Sequence, residues 1–374
     1  MDFEELKKNS FVFSKTPLPG YNISNLLILL AQNKFSISLR YIPRLIYSFL
    51  ISGLMGPFRV VERIKYDKKI KDTKIEKHPI FLLGYWRSGT TFLQNVISLD
   101  ENLGYFDTFQ AYLPSVFLIG EKIFKPLVDS SLPKKRPMDN ADMDADLPQE
   151  DQYALGAFSV YSYYHGWCFP KNMDFYNKYV LMENVDERDI KRWRMIYRYL
   201  LKKATLKNNG KRLVLKNQDN TSKIDLLLDM FPKAKFVLIK RNPYDLYHSM
   251  MRFMRIVIPL YCVQNPPDIE KVEKSMFKLY RKMFKKYFRT REIIPKGNLV
   301  EIKYEDFVDN PLSVLEDIYS SLSLKGFKKS KRKFKRYIDA QETFVTHSYS
   351  TSNDLKEKIL DEWGFVFERL GYQK

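Results

Sequence analysis

The chain has 374 residues, of which 45% are apolar and 15% aromatic, so it can bury a sizeable core without disulfides. This composition excludes an intrinsically disordered protein. Its two cysteines, Cys168 and Cys262, lie far apart with no His or second Cys at ligand spacing, which excludes a disulfide framework, a zinc knuckle and an iron–sulfur site. The formal net charge of +19 favours an anionic partner such as a nucleotide, a nucleic acid or a phospholipid.

The beginning of the chain has no pattern of a secretory signal, because residues 1–17 mix acidic and basic side chains and lack an apolar core. Together with the unpaired cysteines, this predicts a cytoplasmic location. Residues 25–58 are the most apolar region, but their uncharged run of about 14 residues is shorter than the roughly 20 that a bilayer span needs. Basic residues punctuate this region, so it could lie on a membrane, cover a greasy pocket or form an ordinary pair of core helices.

Four short apolar runs alternate with helical periodicity and are typical of buried strands. The runs span residues 79–83, 212–215, 235–239 and 298–302. The alternation predicts an α/β fold with a central parallel sheet flanked by helices. We expect residues 1–78 to form a helical, apolar region that packs on the main domain over residues 79–374, with further helical elaboration at the C-terminus.

Two basic segments follow the middle of the chain. Residues 271–294 repeat apolar side chains at steps of three and four with Lys between them, which predicts one long amphipathic helix. Residues 325–336 contain eight Lys or Arg. Such a run could contact nucleic acid or lipid, but it is more often a solvated helix face.

The most informative segment is PIFLLGYWRSGTT at residues 79–91, in which a buried strand turns through Gly84 and Gly89 into a helix near Thr90. A Gly-rich turn exposes backbone N–H groups, and a helix N-terminus adds partial positive charge, so a phosphate or sulfate binds there. A plain helix cap would need only one Ser or Thr. The segment therefore predicts an anion-binding strand–loop–helix.

The spacing within this loop argues against a metal-dependent NTPase. A triphosphate-binding loop has Lys directly after its second Gly, whereas this sequence has Thr90 there. The cation is Arg87 instead, and no strand ending in an Asp that could hold Mg²⁺ is evident. The pattern suits a donor in which one phosphate bridges to a transferable group, with an ATP-dependent kinase as the alternative enzyme.

Two motifs resemble those of the sulfotransferase family, whose members use 3′-phosphoadenosine 5′-phosphosulfate (PAPS). The segment GYWRSGTTFL at residues 84–93 is similar to the family's 5′-phosphosulfate loop. The segment FVLIKRNPYD at residues 236–245, followed by Ser249, is similar to its 3′-phosphate motif. The segments KYEDF and EWGF, at residues 303–307 and 362–365, support the resemblance, which looks closest to a bacterial branch.

The resemblance implies PAPS as co-substrate, 3′,5′-adenosine bisphosphate as product, and no metal. It also implies a set of donor-binding residues. These are Arg87, Ser88, Gly89, Thr90, Thr91, Arg241 and Ser249.

The catalytic base is where this sequence departs from the family pattern. Cytosolic members have a His shortly after a Lys, whereas Lys216 is followed by Asn, Gln, Asp, Asn and Thr. Membrane-associated and some bacterial members use a Glu, so Glu150 ranks first, then Asp151, with His165 as the alternative. Lys216 corresponds to a family Lys that contacts the transferring group. The lower-ranked carboxylates are Asp219 and Asp107.

The acceptor is predicted from the aromatic run at residues 158–167 and the apolar residues 25–58. Both favour an apolar pocket and a lipophilic alcohol such as a sterol as the acceptor. A carbohydrate and a phenol are the alternative acceptors. The simplest explanation of both segments is ordinary core packing. In this interpretation the partner is not a nucleic acid, peripheral membrane association is open, and the oligomeric state is unknown. The rival function is a nucleic-acid or acidic-membrane binding protein with a vestigial phosphate loop.

Overall fold

The computed structural model describes residues 16–341 and 349–374. Five strands are interleaved with helices between Ile80 and Lys303, and the strands form one central sheet. The predicted α/β fold class is therefore confirmed.

The α-helices flank the sheet or form a separate helical region. In chain order they are α1 (Ile23–Gln32), α2 (Ile42–Leu54), α3 (Gly56–Asp72), α4 (Thr90–Ile97), α5 (Thr108–Tyr112), α6 (Glu121–Ser131), α7 (Asp151–Phe158), α8 (His165–Cys168), α9 (Met173–Leu181), α10 (Glu187–Lys207), α11 (Ile224–Met230), α12 (Pro243–Tyr261), α13 (Ile269–Thr290), α14 (Tyr304–Asp309), α15 (Pro311–Ser321), α16 (Phe327–Ala340) and α17 (Asn353–Leu370).

The central sheet is parallel and has the strand order β2-β3-β1-β4-β5. Its strands are β1 (Ile80–Leu83), β2 (Leu103–Gly104), β3 (Arg212–Lys216), β4 (Lys235–Lys240) and β5 (Leu299–Lys303). Four of them agree with the predicted runs to within one residue at each end, whereas the two-residue β2 is too short to leave a period in the sequence. Leu82 pairs with both Lys216 of β3 and Val237 of β4, so these strands end at one edge of the sheet.

The chain divides into two compact units, each built from segments that are separate in sequence. The first contains the described residues of Met1–Ile75, Phe106–Asn209 and Arg252–Glu273. The second contains Glu76–Tyr105, Gly210–Met251 and Lys274–Lys374. No linker-like composition marks the points at which the chain passes back into the first unit. The predicted boundary at residue 78 stays a prediction.

The first unit is mainly helical. Its longest helix, α10, begins after Asp186, whose carboxylate accepts the N–H of Arg188 at 2.8 Å and so satisfies one open donor of the first turn. Among the described helices, no single one is long and apolar enough to cross a bilayer. The segments Leu39–Leu54 and Gly56–Asp72 reach that length and composition only together, and they are bent by 40° at the break.

The second unit holds the sheet and its apolar core. Ile80 and Leu82 of β1 pack with Leu93 and Val96 of α4, which fixes the helix directly behind the loop that precedes it. The predicted long helix is α13, which ends at Thr290, shortly before Pro295. Most of the basic run lies on α16, which buries Phe327 and Phe334 and leaves its Lys and Arg side chains exposed.

Candidate active site

The loop between β1 and α4 turns tightly because two glycines occupy positions that disfavour a side chain. Gly84 has φ +150°, and a Cβ there would lie 2.7 Å from the carbonyl oxygen of Ile239. Its N–H donates to Thr221 Oγ1 at 2.9 Å, and the Thr221 hydroxyl donates to the Gly84 carbonyl oxygen at 3.0 Å. These contacts attach the start of the loop to the segment that follows β3.

The end of the same loop leads into the N-terminus of α4. Gly89 is the N-cap with φ +98°, and no side chain caps the helix within the described residues. The first N–H groups of a helix have no partner inside the helix and carry partial positive charge. The N-terminus of α4 behind Gly89 therefore suits a phosphate or sulfate, and Ser88, Thr90 and Thr91 lie next to it in the sequence.

The structure brings the two sequence motifs together, although they lie far apart in the chain. Arg241 follows the last residue of β4, and its Nη1 donates to the carbonyl oxygen of Arg87 at 3.0 Å across 154 residues of sequence. Arg87 Nε donates to Ser249 Oγ at 3.2 Å. Arg87, predicted to bind the 5′ end of the donor, thus also contacts the residue predicted to bind the 3′-phosphate.

Two buried polar groups near this cluster lack hydrogen-bond partners within the part of the chain that the structure describes. They are Nε of Arg241 and the side-chain amide of Asn220, in the segment after β3. A buried polar group without a partner costs free energy, and a cationic N–H is best satisfied by a phosphate oxygen. The residues present therefore fit a phosphorylated donor.

Lys216 joins the same edge of the sheet. It is the last residue of β3, it is buried, and its Nζ donates to Thr91 Oγ1 at 3.2 Å. The predicted donor-binding residues and Lys216, which together we call the donor cluster, all belong to the second unit and lie at or beyond the carboxyl ends of strands, where parallel sheets bind their ligands. Their individual roles remain predictions.

Glu150 lies in the first unit, directly before α7, with 8% of its surface exposed. The hydroxyl of Tyr164 donates to Glu150 Oε2. Burial, and secondly the neighbouring Glu150, raise the pKa of Tyr164 well above its ordinary value, so this phenol stays protonated.

Aromatic rings surround this carboxylate. The ring of Tyr164 lies 4.5 Å from that of Tyr153 and 4.7 Å from that of Trp167, measured between centroids. Tyr153 in turn contacts the ring of Tyr112 at 5.3 Å, and its hydroxyl lies 2.5 Å from that of Tyr261. These residues are the aromatic cluster around Glu150, and Arg136, which pairs with Asp139, interacts electrostatically with the Glu150 carboxylate.

The other two predicted bases lie in closer-packed surroundings. Asp151 is buried and accepts a hydrogen bond from the Tyr197 hydroxyl at 2.7 Å. His165 is fully buried, with Nε2 at 3.0 Å from the Ser159 carbonyl oxygen and Nδ1 at 3.4 Å from the Tyr21 hydroxyl. Burial lowers the pKa of His165 to about 3, so its imidazole is neutral and both nitrogens have partners. This geometry favours Glu150 over His165, and the choice of base stays a prediction.

The lower-ranked carboxylates have structural contacts. Asp219 pairs with Lys223 at 2.5 Å, and both side chains are fully buried. Asp107 is the N-cap of α5 and accepts the N–H of Gln110 at 2.7 Å.

Sequence reasoning missed three residues in or next to the donor cluster. The ring of Tyr304 lies 4.6 Å from Arg241 Cζ, and it also closes the space beside Gly89. The motif at residues 303–307 was the available signal, but in the sequence it only supports the resemblance and assigns no role to Tyr304. Thr221 and Asn220 carried no signal except their closeness to Lys216 in sequence.

Comparisons with known proteins found related sequences and structures. A model described as "Sulfotransferase family" matches residues 79–329. Two curated relatives, both named omega-hydroxy-beta-dihydromenaquinone-9 sulfotransferase Stf3, come from Mycobacterium bovis and Mycobacterium tuberculosis. Each is 27% identical over 359 residues, which cover 95% of this chain and 91% of the relative.

Two solved structures have a similar fold. Sulfotransferase STF1 from Mycobacterium tuberculosis H37Rv has a TM-score of 0.65 and 16% identity, with 98% of this chain and 99% of that chain covered. Sulfotransferase STF9 from Mycobacterium avium has a TM-score of 0.68 and 16% identity, with 87% and 86% covered. At this identity the likeness concerns the fold alone.

Proposed function

The chain belongs to the sulfotransferase family, and on that basis we propose that it transfers the sulfuryl group of PAPS to the hydroxyl of a lipophilic alcohol. The donor half of the proposal is supported by the contacts among Arg87, Arg241 and Ser249. Neither the kinase nor the polyanion-binding alternative is favoured, since the matched family model covers both phosphate motifs.

The acceptor half of the proposal depends on one observation, the burial of Glu150 within the aromatic cluster. Aromatic side chains offer large apolar area with few rotamers to immobilise, whereas a sugar site needs a denser set of polar groups. The mycobacterial relatives are named for a hydroxylated menaquinone derivative, which is also a lipophilic alcohol. We therefore propose a sterol, polyprenyl or acyl-chain alcohol as the acceptor class.

In the proposed reaction, PAPS supplies a sulfuryl group bonded to a phosphate leaving group. Glu150 accepts the proton of the acceptor hydroxyl while the new oxygen–sulfur bond forms and the sulfur–phosphate oxygen bond breaks. Tyr164 orients the carboxylate by donating its hydroxyl hydrogen. Arg87, Lys216 and the loop N–H groups stabilise negative charge on the sulfuryl oxygens and the departing phosphate. These positive groups supply the charge that Mg²⁺ supplies in kinases, so we propose that no metal is required.

The test of this proposal compares Glu150→Gln with the wild-type protein in transfer of radiolabelled sulfate from PAPS. We expect kcat to fall about 10² to 10⁴-fold with an unchanged KM for PAPS, because a general base acts in the transition state and does not bind the donor. His165→Gln should have a milder effect. A sterol and a long-chain alcohol should accept sulfate, whereas a simple sugar and a simple phenol should not.

The matched control is Glu187→Gln, an exposed carboxylate of the same unit at the start of α10. It should keep wild-type kcat. A fully active Glu150→Gln together with an inactive His165→Gln would overturn the choice of base. Transfer to sugars alone would overturn the lipophilic acceptor and leave the family assignment intact.

A cytoplasmic location and peripheral contact with a membrane are also part of the proposal. Cys168 and Cys262 are both free thiols and both buried, which is compatible with a reducing compartment. A lipophilic acceptor is most concentrated in a bilayer, so an enzyme that uses one benefits from contact with the membrane.

A further inference from the structure

Helix α2 has its polar and apolar sides reversed relative to a normal helix of a soluble protein. The side chains that it buries are Arg44, Ser48 and Ser52. The side chains that it exposes include Ile42, Ile46, Leu50 and Leu54, at steps of four residues along one side. A surface helix normally turns its apolar stripe toward the core, so this arrangement needs an explanation.

The buried polar side of α2 is well bonded within the first unit. Arg44 Nη1 donates to the carbonyl oxygens of Pro259 at 3.2 Å and Cys262 at 2.6 Å. Ser52 Oγ donates to the Tyr21 carbonyl oxygen at 2.5 Å. The helix is therefore fixed in this orientation, and its apolar side stays outward.

The neighbouring helices extend the same surface. A Cβ on Gly53 of α2 would lie 4.0 Å from Ile23 Cδ1, which places the start of α1 beside the end of α2. We call the exposed apolar side chains of α1–α3 and the turn between α1 and α2 the outer apolar surface. Its members are Ile23, Leu27, Ile28, Phe35, Leu39, Ile42, Ile46, Leu50, Leu54, Val60, Val61 and Ile64. Exposed apolar side chains on three consecutive helices are typical of an interaction site.

Basic side chains outnumber acidic ones around the outer apolar surface, and the first carboxylate beyond Ile64, Asp67 of α3, pairs with Lys71 at 2.7 Å. Residues 16–66 contain a single carboxylate, Glu62, and it is buried against Lys203. Lys34, Arg63 and Lys65 are exposed. Arg63 and Lys65 flank Ile64, so helical geometry places them about 100° to either side of it. Long basic side chains at the edge of an apolar stripe are typical of helices that lie in a membrane interface.

The same charges disfavour a second copy of this chain as the partner. In a two-fold interface each residue faces the same surface of the other subunit. Lys34, Arg63 and Lys65 would then face mainly basic neighbours, because residues 16–66 expose no carboxylate and Asp67 already pairs with Lys71. Like charges across an interface weaken association, whereas anionic phospholipid headgroups would neutralise them.

We propose that the outer apolar surface inserts into one leaflet of a bilayer that contains anionic phospholipids, and that this membrane presents the acceptor. This proposal rests on the proposed function, because the membrane can present the acceptor only if the acceptor is a lipophilic alcohol. The apolar side chains enter the acyl boundary, while Lys34, Arg63 and Lys65 contact lipid phosphates. None of the residues involved belongs to the donor cluster.

The test measures binding of the full-length protein to vesicles by flotation, without donor or acceptor. Vesicles of phosphatidylcholine alone are compared with vesicles that contain one-third phosphatidylglycerol. We expect the wild-type protein to bind the anionic vesicles, and Ile46→Ser with Leu50→Ser to weaken binding about tenfold or more. Arg63→Glu with Lys65→Glu should remove the preference for phosphatidylglycerol.

The chain offers a closely matched control on α6, in the same unit. Ile123 and Leu127 are 55% and 62% exposed, compared with 55% and 61% for Ile46 and Leu50, and both pairs are four residues apart on a helix. Ile123→Ser with Leu127→Ser should bind vesicles like the wild type. For charge, Lys335→Glu with Arg336→Glu on α16 changes the same number of exposed basic residues and should keep the lipid preference.

Equal loss of binding in the α2 and α6 variants would overturn the proposal, as would undiminished binding of the α2 variant. The proposal would also be overturned if the wild type formed a dimer and bound no vesicles, while Ile46→Ser with Leu50→Ser dissociated that dimer. That result would assign the surface to a second copy of the chain. Stabilisation by adenosine bisphosphate is measured on the same samples. It reports on the donor cluster, so failure of membrane binding can be distinguished from failure of the sulfotransferase assignment.

Discussion

Arg241 combines a fixed position with an incomplete set of hydrogen bonds. Its Nη1 is held by the Arg87 carbonyl oxygen, and its guanidinium lies over the ring of Tyr304. Its Nε is buried without a partner among the described residues. A guanidinium held in this way loses little freedom when a phosphate binds, which makes it suited to recognise a dianion.

His165 is a buried histidine whose contribution is to stability. Its folded pKa of about 3 lies below the ordinary 6.5, so between these values the unfolded chain binds a proton that the folded chain does not. Stability from this residue is therefore complete above pH 6.5 and is lost as the pH falls. We expect the free energy of unfolding to drop by about 2 kcal/mol from this group between pH 7 and pH 5.

Urea titrations of wild type and His165→Gln at both pH values measure this contribution. The difference in unfolding free energy between the two proteins should shrink toward pH 5, because Gln does not titrate. An equal difference at both pH values would contradict this prediction. It would mean that the folded and unfolded chains protonate His165 alike over this range.

At the scale of single elements, the loop between β1 and α4 depends on the backbone more than on its side chains. Gly89 holds φ +98°, and a Cβ there would collide with the ring of Tyr304. That ring lies under Arg241, so a displaced ring also displaces the guanidinium. A side chain at position 89 would therefore disturb the loop between β1 and α4 and also the position of the Arg241 guanidinium.

We expect Gly89→Ala to weaken binding of adenosine bisphosphate by about tenfold or more and to lower the melting temperature. Isothermal titration and thermal unfolding measure the two effects. Gly210→Ala is the matched control, because Gly210 also has positive φ, at +73°, but no atom lies within 4 Å of its added Cβ. It should lose some stability and keep full affinity. Equal affinity in the two variants would contradict the role assigned to the contact with Tyr304.

At the scale of the whole molecule, the net charge of +19 is distributed over surfaces with different tasks. Part of it is concentrated in the donor cluster, part surrounds the outer apolar surface, and part lies on the solvated side of α16. The enclosed donor cluster should be less sensitive to salt than the exposed charges, since buried pairs are screened less.

Adenosine bisphosphate should raise the melting temperature of the protein, as any ligand that binds only the folded state does. The rise should be the same with and without EDTA, because Arg87, Lys216 and Arg241 supply the positive charge. Differential scanning fluorimetry measures it. Arg241→Ala should lose most of the shift, whereas Arg332→Ala, on the exposed side of α16, should keep it. A shift that requires Mg²⁺, or that persists in Arg241→Ala, would contradict the donor assignment.

The sequence by itself determined the four main strands, the parallel sheet and the phosphate motifs. These features are local, because a buried strand, a Gly-rich turn and a helix start each leave a pattern within about ten residues. For the same reason the sequence predicts an anion-binding role for Gly84, Gly89 and Arg87, because that role depends on backbone geometry within one loop. The family assignment followed from these local patterns.

Only the tertiary structure decided which distant residues meet and which side of a helix faces outward. The contacts of Arg241 with Arg87 and Tyr304, and the burial of Glu150 among aromatic rings, depend on segments that are far apart in the chain. The reversed polarity of α2 was likewise hidden, because periodicity identifies two sides of a helix but not the core. In α2 the bonds of Arg44 and Ser52 decide the matter, since buried polar groups must be hydrogen-bonded and the core supplies their partners.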